Sequence, residues 1–117
     1  MPRTYVIEFG MGADLQGQDP TKACIKAVKD AIGRNYLPGM RALTGGDPAR
    51  MLVTVRLGVP AEVGPVDTDA VACALPHGKV TVEVAPGGLL TTGGGLFEGA
   101  ADRIVVAVAA VEVAVAD

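Results

Sequence analysis

The chain has no serine, no tryptophan, one histidine and two cysteines among its 117 residues. Each scarcity removes a class of chemistry. Without serine there is no Ser-His-Asp triad. A single histidine, His77, and two distant cysteines, Cys24 and Cys73, do not make a zinc site. The scattered aspartates lack the spacing of a calcium loop, so no metal and no cofactor is expected. The aromatics are Tyr5, Phe9, Tyr36 and Phe97, too few for a base-stacking platform. Ten Lys and Arg face 13 Asp and Glu, a formal net charge of -3, which argues against nucleic-acid partners built on phosphate contacts. The longest apolar run, Ile104 to Ala116, is broken by Glu112 and falls short of the roughly 20 residues a membrane helix needs. Met1-Pro2-Arg3-Thr4 leads straight into a strand-like segment without a signal-peptide core, so a cytoplasmic protein with reduced thiols is expected. Both cysteines read as small core residues rather than nucleophiles.

What remains is half hydrophobic, and Ala and Val dominate that half. Disorder is excluded, and the length suits a single domain spanning 1–117. Tyr5, Ile7 and Phe9 alternate with Thr4, Val6 and Glu8, the period of a strand that Gly10-Met11-Gly12 ends. Asp19-Pro20 reads as an N-cap followed by proline at the first helical position. Beyond it, Thr21, Cys24, Ile25, Val28, Ala31 and Ile32 recur on one helical face. Ala23, Ala27 and Ala31 are small enough for that helix to approach a sheet closely, and Asn35, Pro38 and Gly39 end it. Residues Arg41 to Arg50 read as a Gly/Pro loop. Met51 to Leu57 alternates again, Asp67 caps a short helix carrying Ala70, Val71, Ala74 and Leu75, and Lys79 to Ala85 is a third strand. After the glycine-rich stretch Pro86 to Gly95, Arg103 to Val115 forms a final strand so continuously apolar that burial on both faces is expected.

The predicted fold class is therefore α/β (α+β), one domain with a β-α-β-α-β-β mixed sheet. Both β-α-β steps predict parallel pairing, and the last two strands antiparallel pairing across the glycine-rich loop. Two helices on one face leave the other bare, with Thr54, Arg56, Thr81, Glu83 and Glu8 on it. Such a surface predicts self-association.

Gly10-Met11-Gly12-Ala13-Asp14-Leu15-Gln16-Gly17 resembles the hallmark G-x-G-x-D-x-H-G of an uncharacterised family of short proteins, mainly bacterial and also found appended to longer plant chains. The likeness continues through Leu37-Pro38-Gly39, Gly87-Gly88-Leu89-Leu90 and Ala109-Ala110-Val111-Glu112-Val113. The family's histidine is Gln16 here, which puts any obligatory base or ligand role at that position in doubt. The element order also resembles the trimeric fold of Bacillus chorismate mutase, YjgF-like enamine deaminases and ring-opening amidohydrolases. That resemblance implies a homotrimer, or a multiple of one, with small-molecule sites between subunits.

Several residues carry possible chemistry. Gly10-x-Gly12 is no dinucleotide motif, since the third glycine comes at Gly17 and seven residues (Ala13 to Asp19) precede the helix. It reads either as a tight turn or as a loop bringing its backbone to a ligand, with Asp14 and Gln16 offering polar atoms. Lys22, Lys26 and Lys29 read as a solvated helix face. Lys22, near Asp14 and Asp19, can instead suit an anionic or carbonyl substrate, or act as a base if desolvated. Thr91 and Thr92 among glycines read as a flexible connection or as an anion pocket. Glu112 sits amid apolar neighbours, where a carboxylate needs a partner such as Arg56 or Arg103, or a shifted pKa. His77, between Pro76 and Gly78, reads as a turn residue.

The leading expectation is a metal-free enzyme, a hydrolase or isomerase of a small polar or cyclic substrate, working by acid–base chemistry at an intersubunit cleft. Asp14, Lys22 and Glu112 are its catalytic candidates, and Gly10, Gly12, Gln16, Lys29, Arg56, Thr91 and Thr92 its binding candidates. The alternative is a non-catalytic homo-oligomer that binds a small molecule.

Overall fold

A computed structural model describes residues 2–15, 19–33, 39–92 and 103–117. Strand β1 (Arg3–Asp14) is followed by helix α1 (Pro20–Gly33), a short helix α2 (Met40–Thr44) and strand β2 (Met51–Val59). Helix α3 (Thr68–Ala72) then precedes strands β3 (Lys79–Pro86), β4 (Leu89–Thr92) and β5 (Arg103–Val115). The five strands form one mixed sheet in the order β1-β5-β2-β3, with β4 paired to β5. The stretch read as a Gly/Pro loop thus holds α2 and a 3-10 turn at Pro48–Arg50, and part of the glycine-rich stretch is strand β4.

The caps behave as the sequence predicts. Asp19 Oδ1 accepts from the backbone N–H groups of Thr21 at 2.9 Å and Lys22 at 3.3 Å, which starts α1. Asp67 caps α3 by accepting from Ala70 N–H at 3.1 Å. Its own N–H donates to Thr21 Oγ1 at 2.9 Å, which ties the two helix starts together.

Pairing departs from expectation in two respects: β1 and β2 are not direct neighbours, and neither are β3 and β5, since β2 lies between them and β4 pairs with β5 in place of β3. The β2–β3 step is parallel, as predicted, from Leu52↔Lys79 to Val59↔Pro86. The first step is not a direct pair, because β5 lies between β1 and β2 and is antiparallel to both. Strand β5 is therefore the central strand. At Gly87, whose N–H donates to Val59 O at 2.9 Å, the chain crosses the end of β2. Strand β4 then takes up β5 where β2 leaves off, from Leu89↔Val106 to Thr92↔Arg103.

The core lies between the helices and one face of the sheet. Val53, Val55, Leu57 and Val59 of β2 and Val105, Ala107, Ala109, Val111 and Val113 of β5 point into it, against Ala23, Cys24, Ala27, Val28 and Ala31 of α1 and Val71 of α3. Each fully buried valine contributes about 1.5–3 kcal/mol. Among the described residues nothing covers the other face of β5, and alternate residues from Ile104 to Glu112 are half-buried or exposed rather than buried.

Helix α1 meets β1 almost backbone to backbone. A Cβ built on Gly10 would stand closer than 3.0 Å to Ala27 O, Ala31 N and Ala31 Cα. One built on Gly12 would crowd Ala23 O, Ala27 N and the Lys26 Cβ to the same degree. The small residues at Ala23, Ala27 and Ala31 complete the fit. The same helix covers the outer edge of β1: Asp30 Oδ2 accepts from Met11 N–H at 2.9 Å and Lys26 Nζ donates to Ala13 O at 2.9 Å. Those backbone groups are closed to an added strand.

Candidate functional site

Because side chains alternate along a strand, the glycines at 10 and 12 fix the facing of β1 from Val6 to Asp14, while a register shift between Thr4 and Val6 turns Thr4 to the open face. Even-numbered residues from Glu8 to Asp14 turn toward the helices, and Ile7, Phe9 and Met11 turn away. Glu8, expected on the bare face, is instead on the helix side, in register with the core residue Val111. The large apolar residues of β1 face outward, with Phe9 70% exposed.

The bare sheet face therefore has two characters. Ile7, Phe9, Met11, Val108 and Leu89 are exposed and apolar. Beside them a polar chain crosses all four strands of the main order. Thr4 Oγ1 donates to Glu112 Oε2 at 2.6 Å, and Arg56 Nη1 donates to Glu112 Oε1 at 3.1 Å. Arg56 Nε also lies 3.4 Å from Glu83 Oε2. The Thr4 hydroxyl, then the Arg56 guanidinium, hold the Glu112 carboxyl below its ordinary pKa. Glu112 is thus an ionised, paired carboxylate. Arg103, nine positions away along the same strand, is not its partner here.

The other predicted residues stand elsewhere. Asp14 is 8% exposed, and its Oδ2 accepts from Asp19 N–H at 2.6 Å, closing the turn from β1 into α1. Lys22 and Lys29 are exposed on α1. Asp14 pairs with Val105, seven residues of β5 from Glu112, so the two carboxylates lie about 23 Å apart along the strand and on opposite faces. One chain therefore does not bring Asp14, Lys22 and Glu112 together. Gly10 and Gly12 bring their backbone to a helix rather than to a ligand, because α1 fills the space a ligand would take on that side. Thr91 and Thr92 belong to β4, in register with Ile104 and Arg103, so the stretch read as a flexible connection or an anion pocket is a strand at these two residues. Gln16 and residues 93–95 lie outside the described residues.

Sequence reading missed a cavity of about 200 Å³ on the helix side, lined by Glu8 and His77 with Ile32, Met51, Val53, Leu75, Pro76, Val111 and Val113. Its signal was the parity of Glu8 with Gly10 and Gly12. Cys24 is buried, and that burial, then the charge of Asp19, pushes its thiol up to about 11, far from a nucleophile's range. Among the described residues no group of three or more His, Cys, Asp or Glu is placed to hold a metal, and no helix is long and apolar enough to cross a membrane.

Fold and site together define a mixed α+β protein with one five-stranded sheet, helices on one face and a partly apolar open face. It belongs to the conserved hypothetical protein family Lin0512_fam, whose model matches residues 4–113. It is also similar to the crystal structure of a protein from Nostoc punctiforme described as FtsZ-like and of unknown function. That likeness has a TM-score of 0.84 and 36% identity, over 99% of this chain and 98% of that one. No curated protein matches the chain.

Proposed function

We propose that the chain works as a homo-oligomer, a trimer or a multiple of one, that binds a small polar molecule between subunits. In this reading the fold is of the chorismate-mutase/YjgF type. The observation that carries it is the open sheet face, where Ile7, Phe9, Met11, Val108 and Leu89 stand exposed beside a closed chain of hydrogen bonds. Contiguous apolar surface of this kind marks an interface. The Thr4–Glu112–Arg56–Glu83 chain sets one guanidinium against two carboxylates, a small residual negative charge, so the face does not call for a strongly charged partner and can meet a second copy of itself. Once covered, those polar groups sit in a dry surround where a small polar ligand gains most from them.

Acid–base turnover by Asp14, Lys22 and Glu112 has less support. A general acid needs a raised pKa, and that of Glu112 is lowered. The Asp14 carboxylate already closes a turn. The test is a thermal-shift screen of small polar compounds, cyclic amides included, against the wild type and Arg56→Gln. Stabilising compounds that lose their effect in Arg56→Gln support the reading. Compounds that stabilise both proteins equally, or turnover of a cyclic amide by the wild type, contradict it.

A further inference from the structure

We infer that the helix-side cavity containing Glu8 and His77 is a binding site for a compact amine, an apolar body bearing one protonated nitrogen. The site goes beyond the sheet-face reading, and its described lining residues all come from one chain. Its floor is Val53, Val111 and Val113, so the ligand body meets only aliphatic side chains there. Among its described lining residues Glu8 carries the one carboxylate, and no lysine or arginine lines it. A carboxylate at the side of an apolar cavity selects a charged N–H donor, because charge-assisted hydrogen bonds strengthen where water is scarce. It offers about four acceptor positions, so a ligand nitrogen adds to the interactions Glu8 already makes.

His77 closes the opposite side. The strand order puts Glu8 on β1 and His77 just before β3, with β5 and β2 between, so three inter-strand steps, about 14 Å, separate the backbones that carry the two polar groups. Gly78 presses the turn onto β2: a Cβ there would lie 2.8 Å from Met51 O. His77 lines this cavity and two adjoining ones of about 250 and 360 Å³, so it stands where they meet. The 200 Å³ volume suits a ring or short branched chain rather than a nucleotide or peptide.

The experiment is calorimetric titration of the full chain with cyclohexylamine and 2-phenylethylamine, with cyclohexanol and cyclohexanecarboxylate as counterparts. We expect one amine bound per chain, with the alcohol and the carboxylate at least about tenfold weaker. Glu8→Gln lowers amine affinity about tenfold, and His77→Ala lowers it by less. Met11→Glu, on the opposite sheet face, leaves it unchanged whatever it does to assembly, so failure of this site and failure of the oligomer reading are separable. Equal affinity for amine and alcohol on the wild type overturns the inference without any variant. So does unchanged binding in Glu8→Gln, or the absence of saturable amine binding at millimolar concentration.

Discussion

Gly10→Ala adds a single methyl group, and its effect follows from where that methyl goes. The new Cβ would sit closer than 3.0 Å to three backbone atoms of Ala27 and Ala31, where ordinary contact begins at 3.4 Å. No rotamer relieves this, because the opposing atoms are helix backbone. Helix α1 must retreat by about 1 Å, and Ala27, Val28 and Ala31, all fully buried, retreat with it. Overpacking of this kind costs about 3 kcal/mol, at the upper end for added methyls because a whole helix moves. For a chain of this size that is a fall in Tm of about 12 °C, at about 4 °C per kcal/mol. Thermal unfolding followed by circular dichroism reads it directly. Gly33→Ala is the control: its Cβ meets nothing within 4 Å, so the change should be neutral or stabilising by up to about 1 kcal/mol. Ala27→Gly should not rescue Gly10→Ala, since it removes none of the clashing atoms. A loss below about 1 kcal/mol in Gly10→Ala would refute the backbone-to-backbone contact on which the facing of β1 rests.

Two further outcomes follow from titratable groups. The folded pKa of Glu112 lies below its ordinary value, so its stabilisation is present above the unfolded pKa and lost as pH falls through the folded one. Glu112→Gln should therefore lower Tm at neutral pH, and the difference from wild type should close on acidification below the ordinary carboxylate range; a difference constant with pH would contradict the paired state. With the Cys24 thiol near 11 and buried, and Cys73 exposed, a disulfide reagent at pH 8 should modify one thiol per native chain promptly. The second should react only on unfolding, and rapid reaction of both would refute that burial.

Much of the fold was legible because it is written in local chemistry. Asp19-Pro20 and Asp67 are caps that act within a few residues, and alternation in Met51–Leu57 needs no knowledge of neighbours. Strand pairing was not legible in the same way. Nothing in the periodicity of β5 says that it inserts between β1 and β2, since that depends on contacts nearly a hundred residues apart. The facing of β1 was misread for a different reason. Its large apolar side chains suggest a core face, but the core side is taken by glycine, because the helix approaches too closely for anything larger. Glu8 followed the wrong parity for that reason, and the cavity it shares with His77 stayed hidden. The charge network around Glu112 was half visible: Arg56 was a named partner, while Thr4 became one only through the register of β1 with β5.

The central claim, that the open sheet face is covered by other copies of the chain, is tested most directly by the mass in solution. Sedimentation equilibrium at micromolar concentration should give about three times the 11.8 kDa chain mass, or a multiple of that. Met11→Glu, which places a charge at an exposed apolar position of that face, should shift the mass toward one chain without loss of helix signal. A wild type that sediments at 11.8 kDa, or a Met11→Glu variant that keeps the full assembly, would contradict the account.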